Sequence, residues 1–183
     1  MSREQILIHR ARELRDHEAF ATLVAMHQGK LRGFLMRLTH EHDLCDDLAQ
    51  ESFIKAFERL DTYKGEGSFS GWLFQIAYNA FLQHRRSSKR REEVSQSFAF
   101  EQALRVDCYE SMSPEQYDLE LAVQALNPEQ AAAITLCHSY GYSHREAAHI
   151  LGIPVGTVKT NILRGKEQLR SRLNTPERIA RQG

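Results

Sequence analysis

The chain is poor in the residues that tie a protein together covalently or hold it in a membrane. Among 183 residues there are only three cysteines, Cys45, Cys108 and Cys137. They are odd in number, far apart and never in a Cys-x-x-Cys pair, which argues against a disulfide framework and fits a reducing cytoplasm. No basic N-terminal region is followed by an apolar run, so no signal peptide is expected. No stretch approaches the ~20 apolar residues of a membrane span. The run over 72–82 is too short and is broken by amides. Net charge is also missing: 24 basic residues balance 24 acidic ones, so bulk charge does not point to nucleic acid. No nucleophile motif, phosphate loop or paired-carboxylate signature stands out, and no enzyme, cofactor or small-molecule substrate is expected. His40, His42 and Cys45 are close in sequence, but their spacing fits no standard zinc pattern, and no metal is expected.

The distribution of charge is more telling than its sum. Arg85–Arg91 holds five basic residues and no acid. Glu92–Glu120 holds eight acids against Arg105 alone, and Leu121–Leu173 holds six basic residues against three acidic ones. An acidic segment therefore separates two basic ones. That segment has weak periodicity and a Ser113-Pro114 step. A structureless loop of such length argues against a single compact domain. The expected organisation is all-α: a helical domain over 1–91, a flexible acidic linker over 92–120, a second helical domain over 121–174, and a tail over 175–183.

In the first domain a short helix is expected within residues 1–16. Phe20, Leu23, Val24, His27, Leu31, Phe34, Leu35 and Leu38 recur at spacings of three and four and predict a long amphipathic helix. Polar residues 40–43 break it. A second helix is predicted from Asp43 as N-cap, with Leu44, Leu48, Phe53, Ile54 and Phe57 on its apolar face. Asp47, Gln50, Glu51, Lys55 and Glu58 lie opposite, either as a solvated face or as a docking surface for a basic partner. Residues 62–70 form a loop in which Gly65 and Gly67 permit positive φ, and Ser70 is placed to cap the next helix.

That next helix is apolar almost throughout. Trp72 reads as a core anchor more readily than as a base-stacking ring. The exceptions, Gln75, Asn79 and Gln83, are four apart and share one face. Amides carry both donors and acceptors, so they suit base edges; they equally suit the wet side of a buried helix. The basic cluster just downstream favours nucleic acid, because phosphate contact needs clustered Lys and Arg.

The second domain is punctuated clearly. Asn127-Pro128-Glu129-Gln130 offers an N-cap, a proline at the first helical position and a glutamine at the third. That helix runs to Tyr140 and stops at Gly141. Ser143-His144-Arg145-Glu146 is a capping box for a helix ending at Gly152. A third helix starts near Val155, with Val158, Ile162, Leu169 and Leu173 on its apolar face. Two helices joined by a tight glycine-containing turn, the second basic, make a helix-turn-helix. Thr157, Lys159, Thr160, Asn161 and Arg164 are the side chains expected near base edges, and Arg145, Lys166 and Arg170 near phosphates. An ordinary three-helix domain with a solvated basic face is the competing reading.

Taken together, the two halves resemble the small bacterial sigma factors of the extracytoplasmic-function group, which hold only regions two and four. The resemblance rests on Asp46-Asp47-Leu48-Ala49-Gln50-Glu51-Ser52-Phe53-Ile54-Lys55-Ala56-Phe57, on Phe69–Asn79, and on Gly141–Lys159. It implies that Asp47, Gln50, Glu51 and Lys55 dock on the coiled coil of the β′ subunit of core RNA polymerase, within an assembly that also involves β. It implies −10 contacts by Lys64, Ser68, Phe69, Trp72, Gln75, Asn79, Arg85, Arg86 and Lys89. Lys64 to Phe69 correspond to a loop that takes a base flipped from the non-template strand, and Asn79 lines its pocket. On the −35 side it implies Arg145, Thr157, Lys159, Thr160, Asn161, Arg164 and Lys166. Promoter DNA and an anti-sigma factor, membrane-tethered in some of the family, are the further partners implied. The chain departs from the family pattern at Thr160-Asn161 and at Arg164-Gly165, so its −35 sequence preference is not carried over. A helix-turn-helix regulator acting without polymerase, or a sigma-like decoy that captures an anti-sigma protein, are the alternatives.

Overall fold

The structure, a computed structural model, describes residues 2–94 and 114–173. Most of the expected linker (95–113, with Cys108) and the tail from 174 onward lie outside the described residues. Within them every regular element is helical, as the patterning requires, and no helix is long and apolar enough to cross a membrane. The chain divides into two compact units, Met1–Ser87 and Ser88–Gly183.

The first unit starts with α1 (Arg3–Glu13), closed by a reciprocal cap in which Ser2 Oγ accepts from the Gln5 N–H and Gln5 accepts from the Ser2 N–H. Its buried Leu7, Ile8 and Ala11 face α2 (His17–Thr39). Asp16 caps α2 by accepting from the Ala19 N–H at 3.0 Å. Six of the eight residues of the expected apolar stripe are buried; Val24 and His27 are half-buried. His40, left-handed at φ 56°, ends the helix.

Helix α3 (His42–Glu58) begins one residue before the expected cap, Asp43; Glu41 holds the N-cap position instead, and its side chain makes no capping bond. The turn from α2 is only two residues long. The Thr39 hydroxyl accepts from the Glu41 N–H there, so Asp43 falls in the first turn, where its charge meets the helix dipole. The buried face also differs from the expected one. Cys45, Leu48, Ala49, Ser52 and Ala56 are buried, whereas Ile54 is 53% exposed. Small side chains let α3 lie close against its neighbour, and they carry little hydrophobic signal in a sequence.

A single 3-10 turn (Leu60–Thr62) leads to the glycine loop and to α4 (Phe69–Val94). The residue capping α4 is Ser68 rather than Ser70: Ser68 Oγ accepts from the Gly71 N–H at 3.1 Å, and its carbonyl accepts from the Trp72 N–H. Burial of Phe69 (1% exposed) draws the helix start toward the loop and leaves Ser70 in the first turn. Helix α4 meets α2 through Phe34, whose ring lies 5.1 Å from Phe74 and 6.5 Å from Tyr78.

The second unit comprises α5 (Pro114–Gln124), α6 (Pro128–Ile134), a π-helical turn (Thr135–Ser139), α7 (His144–Leu151) and α8 (Val155–Leu173). Helices therefore enter the expected linker at both ends: residues 92–94 complete α4, and 114–120 open α5. Proline suits a first helical turn, which makes Pro114 a start signal. Both capping boxes, Asn127/Gln130 and Ser143/Glu146, form, and Gly152 ends α7 left-handed at φ 66°. The last turn before Gly141 widens to π geometry, with the Tyr140 N–H reaching the Thr135 carbonyl at 3.1 Å. Helix α8 packs on α5, α6 and α7. Gly165 is buried against α6, and a Cβ placed there would sit 2.5 Å from Ile134 Cδ1. The glycine that reads as a weak point in an isolated helix is a close-approach site in the folded one.

Candidate nucleic-acid interface and docking face

The acidic side of α3 is built as expected. Asp47, Gln50 and Glu51 are exposed, and Asp46 pairs with Arg32 of α2 at 2.6 Å. The exposed Ile54 lies four residues beyond Gln50 and three beyond Glu51, hence on the same face. An apolar side chain ringed by acids and an amide is a better docking surface than acids alone, since burying it on contact gains free energy that exposed ion pairs do not.

Lys55 borders that surface and also reaches away from it. Its ammonium is 2.5 Å from Glu51 and 3.4 Å from Gln83 Oε1, and its side chain is only 26% exposed. It lines a concavity of about 160 Å³ between the end of α3 and the side of α4, together with Arg59, Thr62, Trp72, Gln75, Asn79 and Gln83. Gln75 and Asn79 therefore meet in one groove, as their spacing requires. Arg59 and Thr62 belong to it as well, although sequence alone did not single them out. They come from the 3-10 turn and its approach, and only the packing of α3 on α4 brings them there. A groove lined by two cations, one of them paired with Glu51, three amides, a hydroxyl and an indole presents the donors, acceptors and aromatic face that a nucleobase can use.

The loop before α4 joins Thr62 to Trp72 in the chain, and both of those residues line the groove. Lys64, Gly65, Glu66, Gly67 and Ser68 are all exposed. Gly65 (φ 77°) and Gly67 (φ 80°) occupy left-handed backbone, which a side chain would strain although the space around each is open. Tyr63 Oη donates to the Gly67 carbonyl at 3.1 Å and closes the loop on itself. Phe69, expected among the DNA contacts, is buried instead. Its ring packs on Tyr63, Trp72 and His27 at centroid distances of 5.6, 5.6 and 5.2 Å, so it anchors the loop from beneath. Trp72 is half-buried: one side joins this cluster and the other lines the groove. At the far end of α4, Arg85, Arg86 and Lys89 are exposed.

In the second unit the residues expected near DNA sort onto two faces of α8. Thr157, Thr160, Asn161 and Arg164 are spaced by three, four and seven and lie side by side. Thr160 donates its hydroxyl proton to the Gly156 carbonyl at 3.0 Å, which leaves its methyl group and a lone pair outward. Lys159 and Lys166 share a different flank with exposed Leu163 and Arg170. His138 on the π-helical turn is pushed below its ordinary pKa by burial first, then by the Lys166 and His144 charges, which locates Lys166 beside that turn. Arg145 is exposed near the start of α7. Among the described residues no group of three or more His, Cys, Asp or Glu is arranged to hold a metal ion.

Both helical units match a known family. Residues 23–91 fit the family model for Sigma-70 region 2, and residues 116–169 fit that for Sigma-70 region 4. The chain is 36% identical over 162 residues to the ECF RNA polymerase sigma factor SigE of Mycolicibacterium smegmatis, covering 82% of this chain but only 60% of that protein. It is 33% identical over 181 residues to the ECF RNA polymerase sigma-E factor of Salmonella typhimurium, covering 91% of this chain and 92% of that one. The solved sigma factor RpoE from Bartonella quintana, in complex with the anti-sigma factor NepR, superposes with a TM-score of 0.73 at 29% identity, covering 85% of this chain and 97% of that one. Two region matches in the order of the two helical units, with relatives aligned across nearly their full length, show that the chain belongs to the extracytoplasmic-function RNA polymerase sigma factors.

Proposed function

We propose that this sigma factor docks on core RNA polymerase through α3 and directs transcription to promoters by reading a −10 element with the first unit and a −35 element with the second. The observation that carries the reading is the groove between α3 and α4, where Gln75, Asn79, Lys55 and Arg59 converge with Thr62 and Trp72, the residues between which the exposed glycine loop runs. A flipped base costs a few kcal/mol to extract and needs such a receptor. Asp47, Gln50, Glu51 and Ile54 form the surface for polymerase, with β′ as the expected contact. Arg85, Arg86 and Lys89 hold the DNA backbone beyond the −10 element. In the second unit Thr157, Thr160, Asn161 and Arg164 face −35 bases, while Lys159, Lys166 and Arg145 hold phosphates. The protein carries no chemistry of its own; it acts in the cytoplasm and is held in check by an anti-sigma protein, as the complex of its Bartonella neighbour suggests.

Start-site mapping with holoenzyme reconstituted from core and the full chain tests this. Promoter-dependent starts are expected, lost on Ile54→Asp through core binding and reduced about 10-fold or more on Arg164→Ala through the −35 element. Active core that gives no promoter-dependent start with the wild-type chain refutes the reading.

A further inference from the structure

Helix α1 precedes the segment that matches Sigma-70 region 2, and no role has been given to it above. Its polar side chains nevertheless converge on both stems of the glycine loop. On the entering stem, Arg12 Nη1 donates to the Tyr63 carbonyl at 3.4 Å, and Arg15, in the turn after α1, pairs with Asp61 at 2.8 Å. Tyr63 is the residue whose hydroxyl closes the loop onto Gly67. On the leaving stem, the Glu4 carboxylate is 2.8 Å from His27 Nε2, and the His27 ring lies against Phe69. The side chain of His27 is only 11% exposed, so Glu4 holds it in a site where it cannot swing to water. The Tyr63 phenol is raised above its ordinary pKa by burial and then by the charge of Glu4.

These contacts have a common geometry. The loop itself, from Lys64 to Ser68, is exposed and contains two glycines, so its own backbone does little to select one conformation. A receptor for an extracted base must be ordered before the base arrives, or the ordering entropy is taken from binding. The stems are where order can be imposed: Arg12 of α1 and Arg15 just after it reach the entering stem directly, and Glu4 reaches the leaving stem through His27 of α2.

We infer that Glu4, Arg12 and Arg15 are positioning residues that preorganise the Lys64–Ser68 loop for a flipped base, making α1 a specificity element of the −10 reader. The inference rests on the loop's proposed role, and the test separates the two. The probe is a non-template-strand oligonucleotide carrying the −10 element of a mapped promoter, intact or abasic at each position in turn. Binding is measured to holoenzyme formed with the full chain. The wild-type protein discriminates against one abasic position by about 10-fold or more, the loss expected when a stacked, hydrogen-bonded base is removed. Arg12→Ala, Arg15→Ala and Glu4→Gln shrink that ratio to about 3-fold or less. They leave affinity for the abasic strand and for core unchanged, and Arg12→Lys restores part of the ratio. If the wild type shows no abasic penalty, the loop is not a base receptor and both readings fall. If the penalty stands undiminished in the variants, or intact and abasic strands weaken equally, the inference about α1 is overturned while the loop's role stands.

Discussion

The contact between Gly165 and Ile134 allows a prediction whose sign is not obvious. Alanine in place of glycine in a helix interior is worth about 1 kcal/mol in helix propensity. Against that, the new Cβ would sit 2.5 Å from Ile134 Cδ1 and 3.4 Å from Gln130 Cβ. Carbon atoms rest at about 3.5–4.0 Å, so the first contact overlaps by about 1 Å. Cδ1 is the end of a side chain that can turn, and an off-rotamer position costs about 0.5–1.5 kcal/mol. The two terms nearly cancel, and Gly165→Ala alone should change the second unit's stability by less than about 0.5 kcal/mol. Ile134→Val deletes the clashing atom and alone costs about 1 kcal/mol through the cavity it leaves. Combined, the alanine methyl occupies the vacated space and keeps its propensity gain. The double variant should therefore match or exceed the wild type, with a coupling of about 1–2 kcal/mol between the sites. Hydrogen exchange of peptides from α6 and α8 reads the second unit directly, while fluorescence of Trp72, the only tryptophan, monitors the first unit as an internal control. Effects that add to within about 0.3 kcal/mol would refute the close approach of α6 and α8.

Two further outcomes follow from the titrating groups and caps. Hydrogen bonds from Ser143, side chain first and then backbone, hold Glu146 below its ordinary pKa of 4.5. A lowered folded-state value means that this contribution is present above 4.5 and fades as pH falls through the folded value. Protection at the start of α7 should accordingly drop on acidification in the wild type and become insensitive to this pH range in Glu146→Gln; Ser143→Ala should cost about 1 kcal/mol at neutral pH, measured by the same exchange. Burial raises the Cys45 thiol to about 11, so at pH 8 only about one molecule in a thousand carries the thiolate there. Iodoacetamide should leave Cys45 unmodified in the native protein and label it on unfolding; native labelling faster than that of half-exposed Cys137 would contradict the burial.

What sequence could reveal divides along physical lines. Caps such as Asn127/Gln130 and Ser143/Glu146 were legible because their partners lie three residues apart and need no tertiary contact. The long stripe of α2 was legible because large apolar residues repeat at helical spacing. The buried face of α3 was not: Cys45, Ala49, Ser52 and Ala56 bury well but read weakly, and Ile54 drew the expected core to the wrong side. Phe69 was placed among the DNA contacts by the family resemblance of Lys64 to Phe69, and a matching motif does not tell whether a loop-flanking aromatic faces in or out; here it is buried. Lys55 pairs with Glu51 of the acidic face, as its spacing of four allows, but its further reach to Gln83 and the groove needed the position of α4. Arg59 and Thr62 gave no signal, since the concavity they line exists only once α3 and α4 meet. Lys159 was grouped with Thr157, Thr160, Asn161 and Arg164 as a basic residue at the start of the helix, whereas it lies on the flank of Leu163, Lys166 and Arg170; the tight seat of Gly165 required the position of Ile134.

Helix α4 runs unbroken from the loop's edge to the cationic cluster, and this makes it a ruler. From Phe69 to Arg85 its axis advances roughly 24 Å at 1.5 Å per residue. Along the axis of a stacked duplex, at about 3.4 Å per base pair, that distance corresponds to about seven base-pair steps. A rod of this kind has no hinge with which to adjust, so the spacing between the glycine loop and the cationic cluster is set by the number of residues between Ser68 and Arg85, and each added residue would also turn the cluster by about 100° relative to the loop.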